Sequence, residues 1–354
     1  MLIYTPEQVT PEWLTERLIR QGILQRGVII QIRIAEQSFQ KGTFGNTASL
    51  EVVYSEDTNG PVPRHLFLKV SKSDLPPETL AFGEREVAFY DAMRGRSLPI
   101  PRCYDSAYDA GSGHSHLLID DLSPTHYHTS FPLPPSPQHC EMIVKSLAQL
   151  HAQCWNSVQL SRDLGHLCAN ITATATRLRL EATLPGFLEF LGDALLPAQQ
   201  RVYQDILTSS LLERREERRQ RMVAVTITHG DAHPWNFMLP RATEAGQVMV
   251  IDWHLWEINV PTNDLAYFMA FWWGPGRRAT LERPLVETYH RQLLDYGVEN
   301  YDWAACWRDY RESVAYTTLI PIGQFRRKVN LSTLWSGVEN STAAFQDLTC
   351  TDLL

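Results

Sequence analysis

VAVTITHGDAHPWNFML (residues 223–239), followed after a short link by VMVIDW (248–253), decides the fold. Val223, Val225 and Ile227 alternate as in a short strand. His229, Gly230, Asp231 and Asn236 then fall in a loop broken by Pro234. Phe237–Leu239 and Val248–Ile251 are apolar runs joined by a Gly-containing link, which reads as a hairpin. In an antiparallel hairpin the start of the first strand lies beside the end of the second. The sequence therefore predicts Asn236 next to Asp252, with Asp231 a few residues before this pair.

Phosphoryl transfer needs such a collection. One carboxylate must orient the attacking hydroxyl and accept its proton. A carboxylate and an amide oxygen must hold magnesium against the phosphates, because Mg²⁺ prefers hard oxygen ligands and few protein groups. Asp231, Asn236 and Asp252 supply these groups. HGDAHPWN…IDW resembles the H-G-D-x-x-x-x-N…I-D-W/F signature of the aminoglycoside phosphotransferase and choline-kinase-like superfamily. REVAFY (85–90), LLIDDL (117–122), LAQLHAQCW (147–155) and PTNDLAYF (261–268) follow in the order expected of its ecdysteroid-kinase-like branch, so the resemblance runs from about Phe39 to Phe268. It implies that Asp231 is the catalytic base and that Asn236 and Asp252 are metal ligands. It also implies that His229 and Asp264 buttress the loop.

Upstream, HLFLKV (65–70) reads as a strand with Leu66, Leu68 and Val70 on one face and Phe67 and Lys69 on the other. A lysine in an apolar strand needs an anionic partner or a route to water. The following helix, predicted from about Glu78 to Met93, supplies a partner. At 100° per residue Phe82, Val87, Phe89, Tyr90 and Met93 form an apolar arc with Glu86 at its middle, whereas Glu84 falls outside beside Asp91. A buried acid is costly unless paired, so Glu86 is predicted to meet Lys69, as in the kinase lysine–glutamate pair that positions nucleotide phosphates. The same Glu86 is picked by the resemblance. Gly42 and Gly45 in QKGTFGN (40–46) would let backbone N–H groups approach phosphate, although two glycines between strands also suit a plain hairpin. LLIDDL would be the hinge, its backbone at Leu118, Ile119 and Asp120 meeting the adenine edge.

SPTHYHTSFPLPPSP (123–137) carries five prolines and cannot be helix interior. The lobe boundary is placed just before it, with an N-lobe of residues 1–120 and a C-lobe of 121–354. The second lobe reads as mainly helical, with Ile143, Leu147, Leu150 and Cys154 marking one helix. LLERREERRQR (211–221) reads as a solvated charged helix, with Glu217 able to pair with Arg221 at i,i+4. The aromatics of DLAYFMAFWWGPGRR (264–278) suit helix-core packing. A substrate wall drawn from Trp253, Trp256, Trp272 and Trp273 is the second possibility, since aromatic faces suit cationic or planar ligands. His151, His233 and His254 match no zinc spacing and read as structural.

The composition agrees with an ordinary globular protein: 354 residues, 44% hydrophobic and 20% charged. A net charge of -8 argues against a dedicated nucleic-acid binder. The six cysteines include no C-x-x-C pair, so neither a zinc site nor a disulfide framework is expected. No apolar run approaches membrane-spanning length and no signal peptide is visible, so a cytoplasmic setting is expected. The expected architecture is α+β, a protein-kinase-like bilobal fold: an antiparallel N-lobe sheet with a helix, then a mainly helical C-lobe. The expected activity is Mg²⁺-dependent transfer of the γ-phosphoryl of ATP or GTP to a hydroxyl of a small molecule. A non-catalytic nucleotide-binding module is the rival. A protein kinase is disfavoured by H-G-D in place of H-R-D, by I-D-W in place of D-F-G, and by the lack of a following A-P-E.

Overall fold

The structure, a computed structural model, describes residues 2–35, 40–41, 45–72, 77–130, 132–168, 172–242 and 246–354. The strands are β1 (Ile29–Ile34), β2 (Gln40–Lys41), β3 (Gly45–Tyr54), β4 (His65–Ser71), β5 (Cys103–Asp109), β6 (His114–Asp120), β7 (His126–Tyr127), β8 (Thr226–Thr228), β9 (Phe237–Pro240), β10 (Met249–Val250) and β11 (Glu257–Asn259). The helices are α1 (Pro11–Arg20), α2 (Pro77–Ala92), α3 (Pro137–Gln153), α4 (Val158–Leu164), α5 (Ala173–Leu191) and α6 (Pro197–Thr208). They continue as α7 (Leu211–Arg221), α8 (Thr262–Ala266), α9 (Pro275–Asp295), α10 (Trp303–Thr317), α11 (Ile320–Arg326) and α12 (Leu331–Asp347). The chain forms two compact units. One comprises Met1–Tyr127 and Met238–Leu255, the other His128–Phe237 and Trp256–Leu354.

The first unit is built on a sheet of order β1-β3-β4-β6-β5, with β2 also paired to β3. Its paired strands run antiparallel. Alternation along β4 buries Leu66, Leu68 and Val70 and leaves Phe67 and Lys69 half-buried on the other face. The buried side joins Leu50 and Val52 of β3 and Leu14 and Leu18 of α1 in one core. Helix α1 starts where Thr10 accepts a hydrogen bond from the Trp13 N–H and Pro11 occupies the first turn. Helix α2 packs on β5 and β6. A second small sheet, β10-β9-β7, contains the hairpin expected from FML and VMVI.

The second unit is mainly helical, with one two-stranded ribbon. Ser136 caps α3 and Pro137 follows it; the helix buries Ile143, Leu147 and Leu150 and packs on α9. Strand β8 pairs antiparallel with β11, placing Thr226 opposite Asn259 and Thr228 opposite Glu257. Helix α8 packs on α10, and after Ala266 the backbone widens into a π-helical turn at Tyr267–Phe271. Helix α7 corrects the reading of LLERREERRQR as a solvated face. Glu217 and Arg221 do pair at 3.1 Å on the outside. Arg218, however, reaches Asp309 at 2.7 Å, and Arg215 is only 1% exposed. A run of charges gives no hydrophobic stripe to mark which face turns inward. None of the described helices is long and apolar enough to cross a membrane.

Candidate active site

In the first unit, Lys69 stands between two carboxylates. Its Nζ lies 2.8 Å from Glu86 Oε2 and 3.0 Å from Oε1. It also lies 2.7 Å from Asp252 Oδ1. Glu86 is 6% exposed on the inward face of α2, among Val87, Phe89 and Tyr90, as the helical arc predicts. Burial alone would favour the neutral amine of Lys69. The charges of Glu86 and Asp252 outweigh it and hold the ammonium above its ordinary value. Asp252 shows the complementary balance. Burial would raise its carboxyl, but Lys69 and then His254 hold it well below the usual range.

The backbone of Asp252 is unusual. It adopts a left-handed φ of 67°, uncommon for a residue other than glycine. His254 Nδ1 sits 2.9 Å from Asp252 Oδ1, so one carboxylate oxygen meets both an imidazole and an ammonium. The His254 ring leans on Phe82 with centroids 5.1 Å apart. A histidine two residues after Asp252 carries no spacing signal of its own, so its contact with the aspartate was not legible beforehand.

In the second unit the loop after β8 is tied at nearly every joint. Asp264, completely buried, accepts from the His229 N–H at 2.6 Å and from the Gly230 N–H at 3.0 Å. His151 lies behind it, Nε2 3.1 Å from Asp264 and Nδ1 2.7 Å from the Tyr289 hydroxyl, a satisfied structural histidine. Gly230 takes a φ of 77°, which its lack of a Cβ permits. The Asp231 N–H donates to His229 Nδ1, and the Asp231 carbonyl accepts from the His233 N–H and from Asn236 Nδ2. The Asn236 amide nitrogen is thus used within the loop, and its oxygen is the atom it can offer a cation. The Asp231 carboxylate is partly exposed, and His233 Nε2 lies 3.6 Å from it.

A connected group of aromatic rings, which the sequence reading only partly identified, reaches this carboxylate through His233 and Tyr267. Trp235 meets Trp272 edge-on at 4.9 Å, and His233 packs against Trp235 at 5.3 Å. Tyr267 presents its hydroxyl to Asp231; burial first, then the Asp231 charge, pushes that phenol well above its ordinary value. Of the four tryptophans considered for a substrate wall, only Trp272 is partly exposed. Trp253, Trp256 and Trp273 are 0%, 0% and 1% exposed. Trp253 stacks on Phe89 at 3.9 Å and donates to the Val250 carbonyl. These three are core, and Trp235 belongs beside Trp272 instead.

Two further expectations meet the sheet. Leu118 and Ile119 lie in the interior strand β6, paired with β4 on one side and β5 on the other. The Asp120 N–H donates to the Arg102 carbonyl and the Asp121 N–H to the His65 carbonyl. Of the backbone groups assigned to an adenine edge, the Asp120 N–H is thus engaged within the protein, and Leu118 and Ile119 lie in a strand with neighbours on both flanks. Gly45 opens β3, where a Cβ would sit 2.7 Å from the Val70 carbonyl oxygen. The sheet itself thus requires glycine there. Gly42 lies outside the described residues.

The fold has solved counterparts. Plasmodium vivax ethanolamine kinase is 14% identical, with 90% of this chain and 83% of that chain covered and a TM-score of 0.51. Aminoglycoside 2'-phosphotransferase-IIIa, in its GDP complex, is 13% identical over 96% and 99% at a TM-score of 0.51. A protein of Ralstonia eutropha JMP134 assigned as an aminoglycoside phosphotransferase is 15% identical over 96% and 98% at 0.52. At such identities the likeness is one of fold. No curated protein sequence matches. The sequence pattern of the phosphotransferase enzyme family matches residues 43–307, a span holding Lys69, Glu86, the 229–236 loop, Asp252 and Asp264, and the chain accordingly belongs to that family.

Proposed function

We propose that this protein is a small-molecule kinase that moves the γ-phosphoryl of ATP or GTP to a hydroxyl of its acceptor. The observation that carries the reading is the Lys69 triad. A lysine held by Glu86 and Asp252 beside a strained aspartate backbone is an arrangement suited to gripping phosphates, and a buried ion pair is by itself a poor source of stability. In the net reaction a bond forms between the acceptor oxygen and the γ-phosphorus. The bond from that phosphorus to its bridging oxygen breaks, and the nucleoside diphosphate leaves with the electron pair. Asp231 orients the acceptor hydroxyl and takes its proton. Lys69 binds the phosphates, positioned by Glu86. Residues 1–120, joined by Asp252 from the 238–255 segment, serve the nucleotide, and the remainder of 121–354 serves the acceptor and the chemistry.

The donor set fits magnesium. Among the described residues no three His, Cys, Asp or Glu side chains converge as a cage. Taken singly, Asp252 and Asn236 each offer an oxygen, the kind of hard donor taken by a cation that keeps phosphates and water as its other ligands. Bound magnesium would neutralise phosphate charge during transfer. Asp252, already ionised against Lys69 and His254, and Asn236, whose nitrogen the loop holds, would receive it.

The acceptor is a small hydroxylated molecule met beside Trp235, Trp272 and Tyr267, in a cytoplasmic setting. A related fold has been captured with GDP and kanamycin, so both nucleotides and aminoglycosides belong in the test. Incubation with Mg–ATP or Mg–GTP and a library of aminoglycosides, amino alcohols, sugars, amino acids and steroids, read by mass spectrometry, should give a phosphorylated product that Asp231→Asn does not make. Tight nucleotide binding with neither product nor hydrolysis would instead mark a non-catalytic nucleotide-binding module.

A further inference from the structure

We infer that Arg215 is a positioning residue for the catalytic loop, acting through both ends of the turn that presents Asp264. This rests on reading residues 229–236 as that loop. Arg215 projects inward from the otherwise charged outer helix α7 and is 1% exposed. Its Nη2 donates to Asn259 Oδ1 at 2.9 Å and to Asn263 Oδ1 at 2.8 Å. Its guanidinium carbon lies 4.2 Å over the Tyr316 ring. Among the described residues Nε and Nη1 find no hydrogen-bond acceptor. Burial, with the nearby charges of Arg219 and Arg218, pushes its guanidinium down to about 10.

A buried cation used only for stability is normally matched to a carboxylate, and an apolar side chain of the same volume usually stabilises as well. Arg215 instead places one nitrogen on two amide oxygens of a single short turn. Each of those amides leads to the catalytic loop by a separate route. Asn259 pairs with Thr226 of β8, the strand that runs into His229. Asn263 immediately precedes Asp264, whose carboxylate holds the His229 and Gly230 N–H groups. Thr262, between them, is fixed by Ser313 at 2.9 Å. If the Arg215 grip is released, the turn loses the group that spaces its two ends, and the carboxylate that sets Asp231 moves with it. Displacements of about 1 Å are enough to lower a rate by about 10²-fold.

Arg215→Met keeps length and packing while removing charge and donors, Arg215→Lys keeps the charge without the fork, and Asn263→Ala removes one acceptor. Amide hydrogen exchange of residues 226–237 in the intact protein reads the effect whether or not an acceptor is known. Exchange there should quicken in Arg215→Met and Asn263→Ala and be partly restored in Arg215→Lys, with peptides of β3, β4 and β6 unchanged. Nucleotide turnover should fall by about 10²-fold through kcat with the nucleotide KM unchanged. Wild-type exchange at 226–237 in all folded variants, or a loss confined to α7 and α10, overturns the inference. Should Arg215→Met fail to fold, Arg215→Lys and Asn263→Ala decide it. A wild-type protein without phosphotransfer or hydrolysis would sink the kinase reading while leaving the exchange result to judge Arg215.

Discussion

Lys69, Asp252 and Asp231 each lend themselves to a separable loss. We predict that Lys69→Ala lowers turnover far more than stability, since its proposed role is electrostatic and strongest in the transition state. Thermal unfolding and turnover measured on one preparation compare the two, and an equal loss in both would make Lys69 merely structural. Asp231→Asn should lower turnover by about 10²–10⁴-fold while nucleotide affinity stays near wild type. Near-normal phosphorylation by that variant would remove Asp231 from the base role. Asp252→Asn should abolish the Mg²⁺ dependence of nucleotide binding, and Asn236→Ala should weaken it less. The left-handed backbone at Asp252 makes asparagine the better test than alanine, because asparagine tolerates that region and isolates the loss of charge. The depressed Asp252 carboxyl also sets a pH sign. Its contribution to stability is present above its unfolded value of about 3.9 and is lost as pH falls below that. Acid unfolding of Asp252→Asn should accordingly be less steep there than that of the wild type.

Among the elements, β4 and α2 were legible because each has one period and one buried face. Alternation put Lys69 opposite Leu66, Leu68 and Val70, and the 100° wheel chose Glu86 over Glu84. Where two kinds of order overlap, the sequence was less informative. DLAYFMAFWW is apolar on all sides, so no stripe distinguishes Trp272 from the buried Trp273, and nothing announces the π-helical turn at Tyr267–Phe271. Such turns are often found at functional sites, and this one carries Tyr267 toward Asp231. In α7 the difficulty was the reverse: uniform charge concealed the inward Arg215. Asp264 belongs to α8, a helix of one turn whose main work is to hold another element. We predict that Asp264→Ala destabilises the protein, since each buried N–H left without an acceptor costs about 1–3 kcal/mol. Urea unfolding should register this, and a change within experimental scatter would mean that water replaces the carboxylate.

For the molecule as a whole, nucleotide binding should appear as stability. A ligand at about 100 times its Kd adds about 2.7 kcal/mol when it binds only the folded state. Mg–ATP or Mg–GTP should therefore raise the melting temperature of the wild type and of Asp231→Asn. The rise should be much smaller in Lys69→Ala and Asp252→Asn. An identical rise in all four would place the nucleotide away from the Lys69 triad.

The path of the chain carries a different implication. Residues 238–255 leave the second unit's stretch of sequence to complete the first, bringing Asp252 to Lys69 and His254 to Asp252. Neither unit is therefore a continuous segment. A gene fragment encoding residues 1–127 would make the lysine and Glu86 but not the aspartate, and no single cut yields a self-sufficient nucleotide cassette. Recombination that swapped acceptor specificity between relatives would have to exchange two separate blocks at once, or preserve the 238–255 insert between them. Point substitution around Trp235, Trp272 and Tyr267 is the shorter route for such a chain to acquire a new acceptor.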